Sequence, residues 1–280
     1  MLNFSPDVHL DSDNTFTINN FTFSINAPSY KRPKVETLDY LPYARIWVAE
    51  KEFPDYQAVN GSEAVIISVP DEVQGNVARI RNYILDEEFK RGLDGVVILD
   101  DDMNAICYWE NKTAIKVKPE ELPLIIYKYS ILCRDLGSKL WGFNINQDKQ
   151  VYREYTPFST TSFLGAPFGC FIDNAGGIRY DEELPLKEDY DMTLAQLEQY
   201  RKILRVNKFY YQVKQSAQAG GCAMIRNYAK EEQQFNALQS KWGADIVKQD
   251  KANRSHNLKQ TKHAKRKDYN PIIKVPIKGV

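Results

Sequence analysis

The chain has 280 residues, 43% hydrophobic and 26% charged, and its 37 basic side chains balance its 37 acidic ones. This is the composition of a globular protein with a sizeable core, and it excludes a wholly disordered chain. No apolar run approaches the ~20 residues that span a bilayer, and the N-terminal MLNFSPDVHLDSDN lacks the basic-then-apolar order of a signal peptide. The four cysteines, Cys107, Cys133, Cys170 and Cys222, contain no C-x-x-C pair, which argues against a zinc ribbon. They read as free thiols in a reducing cytoplasm, where the chain is expected to work.

Taken in order, residues 1–42 carry the alternating TFTINNFTFSI, which predicts a peripheral hairpin or strand, followed by PSYKRPK, which reads as a linker. Strands are predicted at ARIWVAE (Ala44–Glu50), at EAVIISV (Glu63–Val69) and in GVVILDDDM. Between the last two lies GNVARIRNYILDEEFKRG, which sets Val77, Ile80, Ile84 and Leu85 on one helical face. KPEELPLIIYKYSILCRDLGSK opens with helix-start chemistry, a proline followed by two glutamates. Apolar strands separated by helices imply a sheet buried on both faces, hence an α/β domain with at least three parallel strands. Beyond Trp141, WGFNINQD, TSFLGAPFGCFID and NKFYYQVKQ read as further strands, partly antiparallel. KEDYDMTLAQLEQYRKILR and NYAKEEQQFNALQSKWG read as helices, with Asp189 as an N-cap for the first and Gly243 as the stop of the second.

Two acidic clusters carry the chemistry. Asp100, Asp101 and Asp102 follow a buried strand at the end where α/β sheets bind ligands. On an extended segment Asp100 and Asp102 point the same way, suited to a hard divalent cation, while Asp101 points elsewhere and can hold a sugar or a basic side chain. Three acids in isolation would read as a solvated acidic turn; directly after a five-residue apolar strand, metal binding is the favoured reading. The second cluster, Glu188, Asp189 and Asp191, stands at a helix start, where capping accounts for one or two acids and leaves one to act as a base. The charge is also lopsided: residues 251–280 hold nine Lys or Arg and one acid, and the rest of the chain is correspondingly acidic. Such a tail is either a solvated terminus or a contact for a polyanion.

At these residues the chain resembles the GT-A glycosyltransferases. ARIRNYILDEEFKRGLDGVVILDDDM is similar to their Arg-Asn helix leading to a strand that ends in D-x-D, and KEDYD to the x-E-D motif on the acceptor side. ILDDDM, GGIRYDEELPLKEDYDM and RVNKFYY resemble, more narrowly, the TET/JBP-associated glycosyltransferases of phages and bacteria. The resemblance spans Tyr43 to Lys214. It implies a GT-A-like, mixed but mostly parallel sheet flanked by helices. Residues 43–140 would form the nucleotide-sugar half and 141–250 the acceptor half, with 251–280 a basic tail. It implies a UDP-glucose-type donor, Mn2+ or Mg2+, a hydroxyl acceptor such as hydroxymethylated pyrimidine in DNA, and a host cytoplasm if the chain is phage-encoded. Carried over residue by residue, Asp100 and Asp102 would meet the metal and Asp100 and Asp101 the donor. Arg79, Arg81 and Asn82 would approach the donor, Glu50 would lie near the nucleotide base, and Asp189, with Glu188 beside it, would activate the acceptor. A C-terminal histidine would add a metal ligand; His256 and His263 are the two available, and His256 is taken as the candidate.

Two other functions compete: a nucleotidyltransferase or nuclease using the same carboxylates for phosphoryl transfer, and a non-catalytic DNA-binding accessory protein with a degenerate pocket. A Rossmann dehydrogenase, a P-loop ATPase and a serine hydrolase are disfavoured, because G-x-G-x-x-G, the P-loop lysine motif and G-x-S-x-G are all missing.

Overall fold

The computed structural model describes residues 2–111, 113–145, 155–165, 167–213, 227–249 and 269–275. Its strands are β1 (His9–Leu10), β2 (Thr15–Ile18), β3 (Phe21–Pro28), β4 (Arg45–Ala49), β5 (Val65–Val69), β6 (Gly95–Leu99), β7 (Met103–Glu110), β8 (Thr113–Lys116), β9 (Leu140–Asn144), β10 (Phe158–Ser159), β11 (Phe168–Ile172), β12 (Leu204–Val213), β13 (Val247–Gln249) and β14 (Pro271–Ile273). The helices are α1 (Thr37–Tyr40), α2 (Phe53–Asn60), α3 (Val77–Lys90), α4 (Leu122–Asp135), α5 (Glu188–Tyr200) and α6 (Tyr228–Trp242). The alternation expected from the apolar runs is present, and twelve strands join one mixed sheet flanked by helices.

Its order corrects one expectation. The N-terminal segment is not peripheral. Strand β3 pairs with β2 through its first half and runs parallel to β4 through its second, while β6 runs parallel to its middle, from Phe23 to Asn26. With β5 parallel to β4, the sheet reads β5-β4-β3-β6 at this side. The reason lies in the side chains: Phe23, Ile25 and Ala27 point into one core and are fully buried, and Phe16 stacks on Phe23 at 5.2 Å between ring centroids. Ser24 and Asn26, on the opposite face, are buried as well, and Asn26 is satisfied there by Trp47 Nε1, which donates to it at 2.9 Å. Alternation of apolar and polar residues usually marks a half-exposed strand; here the polar positions are buried and hydrogen-bonded instead.

Past β6 the sheet turns antiparallel through β11, continues through β9, which is parallel to β12, and ends on β12 laid antiparallel against the β7–β8 hairpin. Helix α3 starts at Asn76, whose side chain accepts from the backbone N–H of Ala78 and Arg79, and it buries Ile80, Arg81, Ile84, Leu85 and Glu88. Glu88, wholly buried, is held by Arg45 at 3.2 Å and Arg91 at 2.7 Å.

The C-terminal region is not simply a solvated end. Strand β14 pairs with β13, and Tyr269 packs on Tyr228 and Phe235 of α6. The basic stretch 250–268, with His256, His263, Lys259 and Lys262, lies outside the described residues, as do Gly220, Gly221 and Cys222. Cys107, Cys133 and Cys170 are free, buried thiols.

Candidate functional site

Because β3, β4, β5 and β6 run parallel, their carboxyl ends share one edge of the sheet. Asp100, Asp101 and Asp102 leave β6 there, and Ser29 and Arg32 leave the neighbouring β3 beside them. Ser29 donates to Asp101 Oδ2 at 2.5 Å, and Arg32 donates to Asp101 Oδ1 at 2.7 Å. Both oxygens of Asp101 are thus taken by the protein. The expectation of a basic partner for the middle aspartate holds.

The triplet is not extended: residues 101 and 102 form a turn, so the two-residue alternation that aligned Asp100 with Asp102 does not apply. Thr37, the first residue of α1, shapes that turn. Its backbone N–H donates to the carbonyl of Asp101 at 3.0 Å, its hydroxyl donates to the carbonyl of Asp100 at 2.7 Å, and it accepts from the N–H of Met103 at 2.9 Å. Asp102 faces Arg32 at 3.6 Å, and Asp100 faces Arg81 at 3.0 Å. Burial, then the charges of Asp100 and Asp101, push the Asp102 carboxyl up to about 7. Burial likewise raises Asp101, against the pull of Arg32 and Ser29.

The acceptor-side cluster meets the first across one side chain. Arg81, 2% exposed, donates from Nη2 to Asp100 and from Nη1 to Glu188 at 2.9 Å. Glu188 opens α5 and is buried; burial and the charge of Asp189 push its carboxyl up to about 8, with Arg81 opposing. Lys187, rather than Asp189, occupies the cap position, so Asp189 lies inside the first turn, half-buried. Tyr211 of β12 stands in the same field: burial raises its phenol well above the usual range, and Asp100 and Asp189 add to the rise. Phe163 stacks on Tyr190 at 4.0 Å beside Asp189. The N-terminal turn of α5 is clamped from behind by α6, through Lys187 to Glu231 at 2.5 Å, and from Asp191 to Trp242 Nε1 at 2.7 Å and Lys241 at 2.8 Å.

Of the other residues expected to approach a donor, Arg79 lies on the exposed side of α3 and pairs with Glu182 at 2.8 Å. Asn82 is spent on the backbone of Tyr180, donating to its carbonyl at 2.9 Å and accepting from its N–H at 2.7 Å. Glu50 is exposed in the turn after β4. The candidate metal ligand His256 lies outside the described residues. Sequence reasoning missed Ser29, Arg32, Thr37 and Tyr211. For the first two the linker reading was the obstacle: a basic, proline-flanked PSYKRPK becomes informative only once β3 is known to neighbour β6.

Asp100, Asp102, Glu188 and Asp189, with Asp101, set five carboxylates against two guanidiniums, Arg32 and Arg81. Asp100 and Asp102 fit a hard divalent cation as a donor set: oxygen ligands in an electronegative corner, with Asp100 one-third exposed. Among the described residues no three His, Cys, Asp or Glu side chains form a ready metal cluster. Mg2+ and Mn2+ are commonly held by one or two carboxylates and complete their shell with water and substrate phosphate.

The model of the TET-Associated Glycosyltransferase family matches residues 42–221, nearly two thirds of the chain. The chain belongs to that family. No curated protein matches it. Among solved structures it is similar to Staphylococcus aureus TarS 1–349 in complex with UDP-GlcNAc, at 13% identity and a TM-score of 0.47, with 78% of this chain and 66% of that one covered. It is also similar to glucosyl-3-phosphoglycerate synthase from Mycobacterium tuberculosis in complex with Mn2+, UDP-glucose and phosphoglyceric acid, at 12% identity and a TM-score of 0.46, with coverage of 81% and 83%. The chain spans just under two thirds of the TarS fragment's length. No helix among the described residues is long and apolar enough to cross a membrane.

Proposed function

We propose that this TET-associated glycosyltransferase is a metal-dependent enzyme that moves a sugar, glucose in the simplest case, from a UDP-sugar to a hydroxyl acceptor, with hydroxymethylated pyrimidine in DNA as the acceptor class. The observation that carries the reading is the meeting of the two acidic clusters around Arg81 at the ligand-binding edge of the sheet. A phosphoryl-transfer enzyme would use the same carboxylates, but the family match favours glycosyl transfer.

In this reading Asp100 and Asp102 hold Mn2+ or Mg2+. When bound, the cation neutralises charge on the departing diphosphate as a Lewis acid. Asp189 accepts the proton of the acceptor hydroxyl, since it is the more exposed of the two acidic residues opening α5. Glu188, buried on Arg81, keeps that turn in place. Ser29 and Arg32 hold Asp101, and through it the turn that presents its two neighbours. Phe163 and Tyr190 offer an aromatic wall for a base, since every base has a π-face. The basic 250–268 stretch tracks DNA phosphate in the cytoplasm of the cell that makes it.

The test is a donor screen: nucleotide sugars with Mn2+ or Mg2+, with and without hydroxymethylated DNA, monitoring free nucleoside diphosphate. Release is expected from one UDP-sugar, stimulated by the modified DNA and abolished by Asp100→Asn plus Asp102→Asn. Pyrophosphate release or strand cleavage would select phosphoryl transfer instead. DNA binding that survives the double substitution, with no turnover of any donor, would reduce the chain to an accessory protein.

A further inference from the structure

We propose that Arg81 is a positioning residue that joins the donor half and the acceptor half of the site into one unit, by holding Asp100 and Glu188 on the two terminal nitrogens of a single buried guanidinium. The proposal rests on the glycosyl-transfer reading for its consequence, and on geometry for its substance.

The geometry has four parts. The guanidinium is almost fully buried, and its two terminal nitrogens address different carboxylates, at 3.0 and 2.9 Å. A planar fork fixes the angle between two such bonds, so the carboxylates are set at a fixed spacing as well as attracted. The guanidinium carbon lies over the Tyr180 ring, 5.7 Å from its centroid. Tyr180 is in turn held through its backbone by Asn82, the next residue of α3. The Arg-Asn pair therefore works as one device: Asn82 pins the chain that carries Tyr180, Tyr180 supports the guanidinium, and Arg81 spans the two clusters. Finally, the two partners lie on separate elements, Asp100 at the end of β6 and Glu188 at the start of α5. A shift of α5 would therefore be felt at Asp100.

A merely structural ion pair would contribute stability and nothing more. A spanning residue makes a further demand: Glu188, which lies on the acceptor side, must influence donor binding, and must do so only through Arg81. Above about pH 8, to which burial and Asp189 raise its carboxyl, Glu188 is anionic; glutamine there removes that charge from Arg81, which competes harder for Asp100, so UDP with Mn2+ binds more weakly.

The experiment is a thermodynamic cycle on the full chain. UDP affinity in the presence of Mn2+ is measured by calorimetry at about pH 9, where Glu188 is ionised, for wild type, Glu188→Gln, Arg81→Met and the double variant, with Lys90→Ala as an exposed control. Coupled neighbours differ from additivity by an amount equivalent to about threefold or more. The expected result is that Glu188→Gln weakens UDP binding by at least that factor, and that the effect vanishes in the Arg81→Met background. Arg81→Lys is expected to behave as Arg81→Met, because one ammonium is a point charge without the fork. Unchanged UDP affinity in Glu188→Gln, or an equal change in both backgrounds, would overturn the proposal. If wild type binds no UDP, the UDP-sugar reading fails and the bridge is judged by urea denaturation alone. Non-additivity of Arg81→Met with both Asp100→Asn and Glu188→Gln then supports it, and additivity with either overturns it.

Discussion

Glu188→Gln also yields a pH prediction for the free protein. The carboxyl is pushed from 4.5 up to about 8, first by burial and then by Asp189, with Arg81 pulling the other way. The folded chain therefore holds a proton that the unfolded chain has lost. The contribution to stability is full below 4.5 and is lost as pH rises through about 8, with a slope of up to ~1.4 kcal/mol per pH unit. Over the whole window the ceiling is about 5 kcal/mol. Relaxation and water entry trim it, so a loss on the order of 2 to 5 kcal/mol is expected. Glutamine carries no such proton, and the difference in stability between wild type and Glu188→Gln should move in the variant's favour across this range. The assay is urea denaturation of both proteins in chelator, from about pH 5 to about pH 8.5, where carboxylates with ordinary values have already titrated. Parallel stability curves for the two proteins would refute the argument, since they would mean that Glu188 is ionised throughout and that Arg81 outweighs burial.

Asp189→Asn should lower turnover by about a hundredfold to ten-thousandfold and leave UDP affinity close to wild type; comparable losses in both would remove Asp189 from the role of base. Phe23→Ala, at a fully buried ring stacked on Phe16, should cost about 3–5 kcal/mol in urea denaturation. A cost below about 1 kcal/mol, the usual range for exposed positions, would return the N-terminal segment to the periphery. Glu88→Ala leaves Arg45, almost wholly buried, with Asp13 as its remaining carboxylate, and should cost about 3–5 kcal/mol; an unchanged denaturation midpoint would show that the Arg45–Glu88–Arg91 cluster contributes nothing net.

Much of this protein can be read from its residues in order. The apolar runs at Arg45–Ala49, Val65–Val69 and Gly95–Leu99 and the helical face of Val77–Lys90 declare themselves, because backbone periodicity is a local property. The same holds for the acids after Leu99 and at the start of α5: their number and their place at element ends are written in sequence. Partnership is a different matter. Nothing local says that Phe21–Pro28 slots between β4 and β6, so nothing local says that Ser29, Arg32 and Thr37 will hold the aspartate turn. The side chains of α3 show the same limit, since Arg79 and Arg81 are two residues apart and equally basic. One pairs at the surface with Glu182, while the other is buried between Asp100 and Glu188. Sequence alone settles which residues can carry charge and which stretches can be strand or helix. Only the tertiary structure decides which charges face each other, because strand order and helix rotation are fixed by burial summed over the whole core.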